Sequence, residues 1–236
     1  MNPWNHPHDT VQNVIQSPYI LYVEGEDDER LLNAWASILE TEEILNKFCF
    51  QKMGGISKDN MKNLADSHFQ SLTQIVTGVK RIVLFDYDTE NSFHPEPGNA
   101  VLFEWQRKNI ENYLLVPDAW IRAIHTKFNR PEDDLFYSEI VDNFFNEQNL
   151  SLPKGSSWRD IKANIFKVID GKKILFEQED SLFQRIWEIE QLVMNREAIP
   201  CFPFIFTPNS INSILAIYPH PLQALLLRLA DPGRTG

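Results

Sequence analysis

Residues 19–28 read YILYVEGEDD. Tyr19 to Val23 make a short, β-prone, largely apolar run that ends abruptly in Glu24, and Gly25 then sits among the carboxylates of Glu24, Glu26, Asp27 and Asp28. Immediately afterwards, Leu31, Leu32, Trp35, Ile38 and Leu39 recur at helical spacing, which predicts an amphipathic helix over 27–41. Strand, acidic turn and helix in that order form a βα unit. Such units build a parallel sheet with helices on its faces.

The segments that follow extend the pattern. KFCFQKM (47–53) predicts a short strand that ends at Gly54-Gly55, and 57–77 predicts a helix with Ser57 in position to cap it. KRIVLFDYDTE (80–90) contains the unbroken run Ile82 to Phe85, as expected of a strand covered on both faces. Residues 91–99 read as a loop and AVLFEW (100–105) as another strand. Beyond Asn109 the pattern turns helical and irregular, with a helix expected over 183–193, a proline-rich stretch at 200–221 and a short apolar helix at 222–230. The opening MNPWNHPHDT is polar and broken by proline; His6 and His8 could bind metal adventitiously there, but the stretch reads rather as a mobile tail. The expected architecture is therefore α/β: a mainly parallel sheet flanked by helices over 1–116, then a mostly helical portion over 117–236.

With 236 residues, 43% of them hydrophobic, and sixteen Phe, six Trp and six Tyr, the chain has enough apolar area for a substantial core. The net charge of -11 argues against binding polyanions through bulk charge. Charge is uneven, however. Between Ser151 and Leu175, Lys154, Arg159, Lys162, Lys167, Lys172 and Lys173 face only Asp160 and Asp170, a local basic excess compatible with a phosphodiester substrate. Cys49 and Cys201 are too few for a disulfide framework or a four-cysteine zinc site. With no apolar run near the ~20 residues of a membrane span and no secretory signal in the polar start, the expected location is the cytoplasm, away from any membrane.

The chemistry is expected where the strands end. In open parallel sheets, active sites form in the crevice beyond the carboxyl ends of the strands. Glu24 ends one expected strand and Asp86 another, so both project into that crevice if the two strands are neighbours. Asp28, four residues after Glu24, leans toward the same space from the first turn of the helix, and Asp88 points the same way as Asp86 in extended chain. Four converging carboxylates repel one another, and a divalent cation relieves the conflict. Ligation by oxygen alone selects a hard ion, Mg²⁺ or Mn²⁺, in one or two copies. Gly25 is expected to permit a tight turn and the close approach of a phosphate.

VEGEDD followed by FDYD resembles the TOPRIM domain shared by topoisomerases, primases and a group of nucleases. That family places a glutamate, usually followed by glycine, after its first strand and an Asp-x-Asp after a later one; Glu24-Gly25 and Asp86-Tyr87-Asp88 match this pattern. IENYLL (110–115) and GKKIL (171–175) further resemble the overcoming-lysogenization-defect nucleases, and still more the compact TOPRIM effectors encoded beside an ABC-type ATPase in anti-phage operons, such as that of the PARIS system.

The resemblance implies that Glu24, Asp28, Asp86 and Asp88 ligate metal, with Glu111 a further acid, and that Lys172 or Lys173 faces the scissile phosphate. It also implies an endonuclease toxin acting on DNA or on RNA such as tRNA, paired with an ATPase companion. Oligomeric state is left open, a homodimer included. The chain contains no GxxxxGK[ST] sequence, so any ATP dependence must come from another polypeptide.

Two rivals remain. A haloacid dehalogenase-like phosphatase also places Asp-x-Asp after a strand, although it puts that strand first and follows the motif with Gly-Thr, where this chain has Thr89-Glu90. A non-catalytic subunit would use the fold only to dock, through aromatics around Phe136 to Phe145 and the apolar segment near the end of the chain. Glu111 can also be read as an ion-pair partner of Arg107, Lys172 and Lys173 as surface lysines, and His68 and His125 as structural residues.

Overall fold

A computed structural model describes residues 7–87, 93–96, 99, 101–128, 135–150 and 163–194. The chain divides into two compact units, the first running through Gln106 and the second beginning at Arg107. IENYLL, grouped on sequence with the first portion, thus belongs to the second unit.

The first unit opens with helix α1 (Pro7–Gln16). For residues 7–10 this corrects the expectation of a mobile tail; His6 lies outside the described residues. Proline is well tolerated in the first turn of a helix, where its missing N–H has no partner to lose. Val14, on the same helix, is fully buried.

Strand β1 (Tyr19–Val23) leads into α2 (Glu26–Ile38) and the single turn α3 (Glu42–Leu45). β2 (Phe48–Lys52), α4 (Lys58–Thr73), β3 (Lys80–Phe85) and β4 (Leu102–Glu104) complete the unit. The four strands form one sheet in the order β2-β1-β3-β4, and every pairing is parallel. The two apolar runs, Tyr19 to Val23 and Ile82 to Phe85, are the inner pair of strands, and the second is covered on both faces as expected. Ile20, Tyr22, Val83 and Phe85 join Met61, Ala65 and Leu72 of α4 in one core, while the alternate residues Leu21, Val23, Ile82 and Leu84 are buried as well. Ser57 stands at the N-cap of α4 as expected, but its side chain makes no capping hydrogen bond.

In the second unit IENYLL begins with a 3-10 turn, Ile110–Leu114, every residue of which is buried. Helices α5 (Pro117–Phe128), α6 (Leu135–Glu147), the short α7 (Ile165–Val168), a π turn at Lys173–Glu177 and α8 (Leu182–Met194) follow. Trp120, Ala123, Ile124, Val141, Phe144, Phe166, Leu175 and Ile186 form its interior. The aromatics expected as a docking surface are mostly interior too. Tyr137, Phe144 and Phe145 are buried, and only Phe136, beside Leu135, is open to solvent. The expected helix at 222–230, the proline-rich stretch and the basic residues Lys154, Arg159 and Lys162 lie outside the described residues.

No helix among the described residues is long and apolar enough to cross a membrane.

Candidate active site

The strand order decides where the acids go. The chain passes from β1 to β2 on one side and then crosses to β3 on the other, so the connections diverge between β1 and β3. That divergence is the switch point at which open parallel sheets bind ligands. Tyr22 lies opposite Val83 in the ladder. Glu24 is two residues beyond this pair on β1 and Asp86 three beyond it on β3, so both occupy the carboxyl edge of strands about 4.8 Å apart. Each is half-buried.

Asp28 occupies the third helical position of α2 and is buried. Its Oδ2 accepts the Gly25 N–H at 2.8 Å, closing the helix entrance as the acidic half of a capping box. Gly25 itself is extended, with φ -143° and ψ -173°. A side chain there would meet nothing nearer than an Asp28 oxygen at 3.9 Å. The expected tight turn at Gly25 is therefore not found; its contribution is the N–H that holds Asp28.

The glycines that matter for conformation come after β2. The ladder continues past the strand end, with Met53 N–H donating to Val23 O at 2.9 Å and Gly54 N–H to Glu24 O at 2.8 Å. Gly54 (φ +83°) and Gly55 (φ +64°) are both left-handed, a region L side chains enter only at a cost. A Cβ on Gly55 would lie 3.9 Å from Glu24 Oε1. The Gly-Gly pair thus forms the wall beside Glu24. Two adjacent glycines at a strand end were the signal in the sequence.

A second feature escapes any motif. Lys58, in the first turn of α4, is buried and ion-paired with Glu104 at the end of β4. Glu104 also holds His94, whose Nδ1 lies 3.0 Å from each carboxylate oxygen. The His94 ring stacks on Tyr87 with centroids 5.1 Å apart and planes at 24°.

In the second unit, Glu111 is buried in the 3-10 turn. The next residue, Asn112, ties that turn to the segment carrying the two lysines. Its Nδ2 donates to the carbonyls of Phe166 (2.7 Å) and Ile169 (2.8 Å), and its Oδ1 accepts the Gly171 N–H at 2.6 Å. Asp170 adds a second tie: Oδ1 accepts from Asn109 Nδ2 and from the Lys173 N–H, each at 3.2 Å, and Oδ2 lies 3.3 Å from Lys108 Nζ. Burial alone would raise the Asp170 pKa, but the Lys173 N–H and the Lys108 ammonium outweigh it and hold the carboxyl below its usual range. Sequence neighbours of Glu111 and of Lys172–Lys173 are thereby fastened together. Lys172 Nζ lies 3.7 Å from Glu177 Oε1, and Lys173 is exposed. Arg107, fully buried, stacks 3.6 Å over the Phe166 ring and donates to Asn112 O at 2.7 Å.

The structure therefore brings Glu24 and Asp86 to adjacent strand ends and Glu111 and the lysine pair into one hydrogen-bonded segment. Asp88 lies outside the described residues. In kind, the carboxylates of Glu24 and Asp86 suit a hard cation. Among the described residues, no group of three His, Cys, Asp or Glu side chains is close enough to hold an ion. Compared with family models, curated proteins and solved structures, the chain matches none of them.

Proposed function

We propose that this chain is a metal-dependent nuclease of the TOPRIM type, cleaving phosphodiester bonds in nucleic acid, tRNA or DNA, as the toxin effector of an anti-phage system with an ABC-type ATPase companion. The observation that carries the reading is the placement of Glu24 and Asp86 immediately after the two strands that flank the switch point. Two half-buried carboxylates just past the ends of neighbouring strands suit a hard cation that meets a substrate phosphate.

Bound Mg²⁺ or Mn²⁺ would supply Lewis-acid activation and neutralise charge on the phosphate. In this reading Glu24 and Asp86, with Asp88, hold the ion, and Asp28 contributes as far as its bond to Gly25 allows. The left-handed Gly54-Gly55 turn keeps the space beside Glu24 free of side chains. Glu111 and one lysine of the Lys172–Lys173 pair carry the roles that the family resemblance assigns, a further acid and a positive charge for the transition state.

The test is cleavage of plasmid, single-stranded DNA and total tRNA with Mg²⁺ or Mn²⁺. Wild type is expected to cut at least one of them, and Glu24→Ala and Asp86→Ala to cut it at least about a hundredfold more slowly. Equal activity in all three proteins removes the proposal. The phosphatase rival makes a separate forecast: hydrolysis of p-nitrophenyl phosphate that Asp86→Asn abolishes and Glu24→Gln leaves intact.

A further inference from the structure

The geometry points to His94 as a further catalytic group of this carboxyl edge, the proton acceptor for the attacking water, with Glu104 and Lys58 as its positioning residues. The inference rests on the nuclease reading above.

Lys58 is the starting point. A lysine at the first turn of a helix meets the positive end of the helix dipole, and a buried one also loses its hydration. Lys58 bears both costs on α4, so its position demands a fixed anionic partner. Glu104 is that partner. Lys58 Nζ also donates to the Phe93 carbonyl at 3.4 Å, and the Phe93 ring meets Phe85 edge-on at 6.1 Å. The backbone just before His94 is thus held from two directions, by a buried cation and by the sheet.

Glu104, already pinned by Lys58, presents both oxygens to His94 Nδ1. A carboxylate accepts hydrogen bonds, so Nδ1 is the donor in this pair and Nε2 is the ring nitrogen on the edge away from Glu104. A carboxylate that fixes tautomer and orientation in this way is the arrangement that prepares an imidazole to take a proton. The ring is also fixed in plane by stacking on Tyr87, which stands between Asp86 and Asp88 in the chain. His94 therefore lies against the residue that follows Asp86.

The other described histidines of the interior are arranged differently. His68 Nδ1 is bonded to the Tyr22 hydroxyl against the core, and His125 is buried in α5. The His94 side chain keeps 41% exposure while its Nδ1 is bound to a carboxylate, so the opposite edge can meet a substrate.

In the step proposed, the oxygen of a water forms a bond to phosphorus as the bond from phosphorus to the leaving oxygen breaks. One water proton passes to His94 Nε2. The leaving oxygen takes a proton from solvent, and the imidazolium returns its own to solvent, so charge and protons balance.

The experiment compares wild type, Glu24→Gln, His94→Gly and Glu104→Gln in the Mn²⁺ cleavage assay, with and without added imidazole. It also measures binding of a non-cleavable phosphorothioate version of the substrate. His94→Gly is expected to cleave roughly 10²–10⁴ times more slowly, to bind the phosphorothioate like wild type, and to regain part of its rate with imidazole. Glu104→Gln is expected to be about tenfold slower, in line with the loss of an orienting partner, and not to respond to imidazole.

A His94→Gly protein that cleaves like wild type, or that imidazole does not rescue, overturns the assignment. If wild type cleaves nothing, or Glu24→Gln cleaves as fast as wild type, the nuclease reading falls and this inference with it. If Glu24→Gln is inactive while His94→Gly is fully active, only the role of His94 is lost.

Discussion

Asn112 and Gly171 lie 59 residues apart in sequence and are joined by one of the shortest bonds in the second unit, Gly171 N–H to Asn112 Oδ1 at 2.6 Å. The contact leaves no room for a side chain. A methyl on Gly171 would overlap that oxygen and come within 2.9 Å of the Asn112 backbone nitrogen. Because Gly171 immediately precedes Lys172 and Asn112 immediately follows Glu111, this contact holds two predicted site segments together.

Gly171→Ala is accordingly expected to cost about 1–3 kcal/mol, the usual range for forcing a methylene-sized group into a filled interior. Asn112→Ala, which removes the Nδ2 donor from the Phe166 and Ile169 carbonyls and the acceptor of the Gly171 N–H, is expected to cost roughly 2–4 kcal/mol. Urea unfolding measures both. A Gly171→Ala protein as stable as wild type would show that the contact relaxes freely.

Glu24 and Asp86 should make the first unit respond to divalent metal. Mg²⁺ or Mn²⁺ is expected to raise the melting temperature of wild type, by an amount equivalent to about 2.7 kcal/mol when the ion is at a hundred times its dissociation constant. Glu24→Gln and Asp86→Asn should abolish that response while being at least as stable as wild type in metal-free buffer, since each removes one of two like charges at adjacent strand ends. Thermal scans with and without EDTA decide the point.

Gly55→Val tests the wall beside Glu24. Its φ of +64° penalises any L residue, and a β-branched one most. The stability cost is expected to be about 1–2 kcal/mol. Cleavage should fall further than the matching Gly78→Val, which replaces another left-handed glycine with no heavy atom nearby. Equal losses of activity in the two variants would mean that Gly55 serves the fold alone.

His68 makes the first unit sensitive to mild acid. Burial lowers its pKa from the ordinary 6.5, so the folded state keeps it neutral, with Nδ1 accepting from the Tyr22 hydroxyl at 2.9 Å. Burial also raises the Tyr22 pKa well above that of a free phenol, so Tyr22 remains the donor throughout. As pH falls, the unfolded chain takes up the His68 proton first. The contribution is therefore complete above about pH 6.5 and is lost as pH drops through the lower folded value. Melting temperatures between pH 7.5 and pH 5, scale set by the ordinary imidazole range, should fall for wild type and fall less for His68→Phe.

Much of the first unit was legible because its signals are local. The run from Tyr19 to Val23, the run from Ile82 to Phe85, the acids that end them and the helical spacing of Leu31 to Leu39 each lie within one element, where side-chain period maps directly onto burial. The acid at Asp28 shows the limit of that logic. Its spacing from Glu24 placed it at the helix start, but the Gly25 N–H it accepts shows it capping α2.

The amino-acid sequence by itself determined the α/β class, the parallel character of the sheet and the presence of an acid at the end of each inner strand, since these follow from periodicity and composition over a few residues. Only the tertiary structure decided that β1 and β3 are neighbours, that Gly54-Gly55 borders Glu24, that Asn112 binds Gly171, and that Lys58, Glu104 and His94 form a chain. Strand order and side-chain contacts join residues dozens of positions apart. They are settled by which packing buries the most apolar surface while pairing every buried polar group, and no short window of sequence carries that comparison.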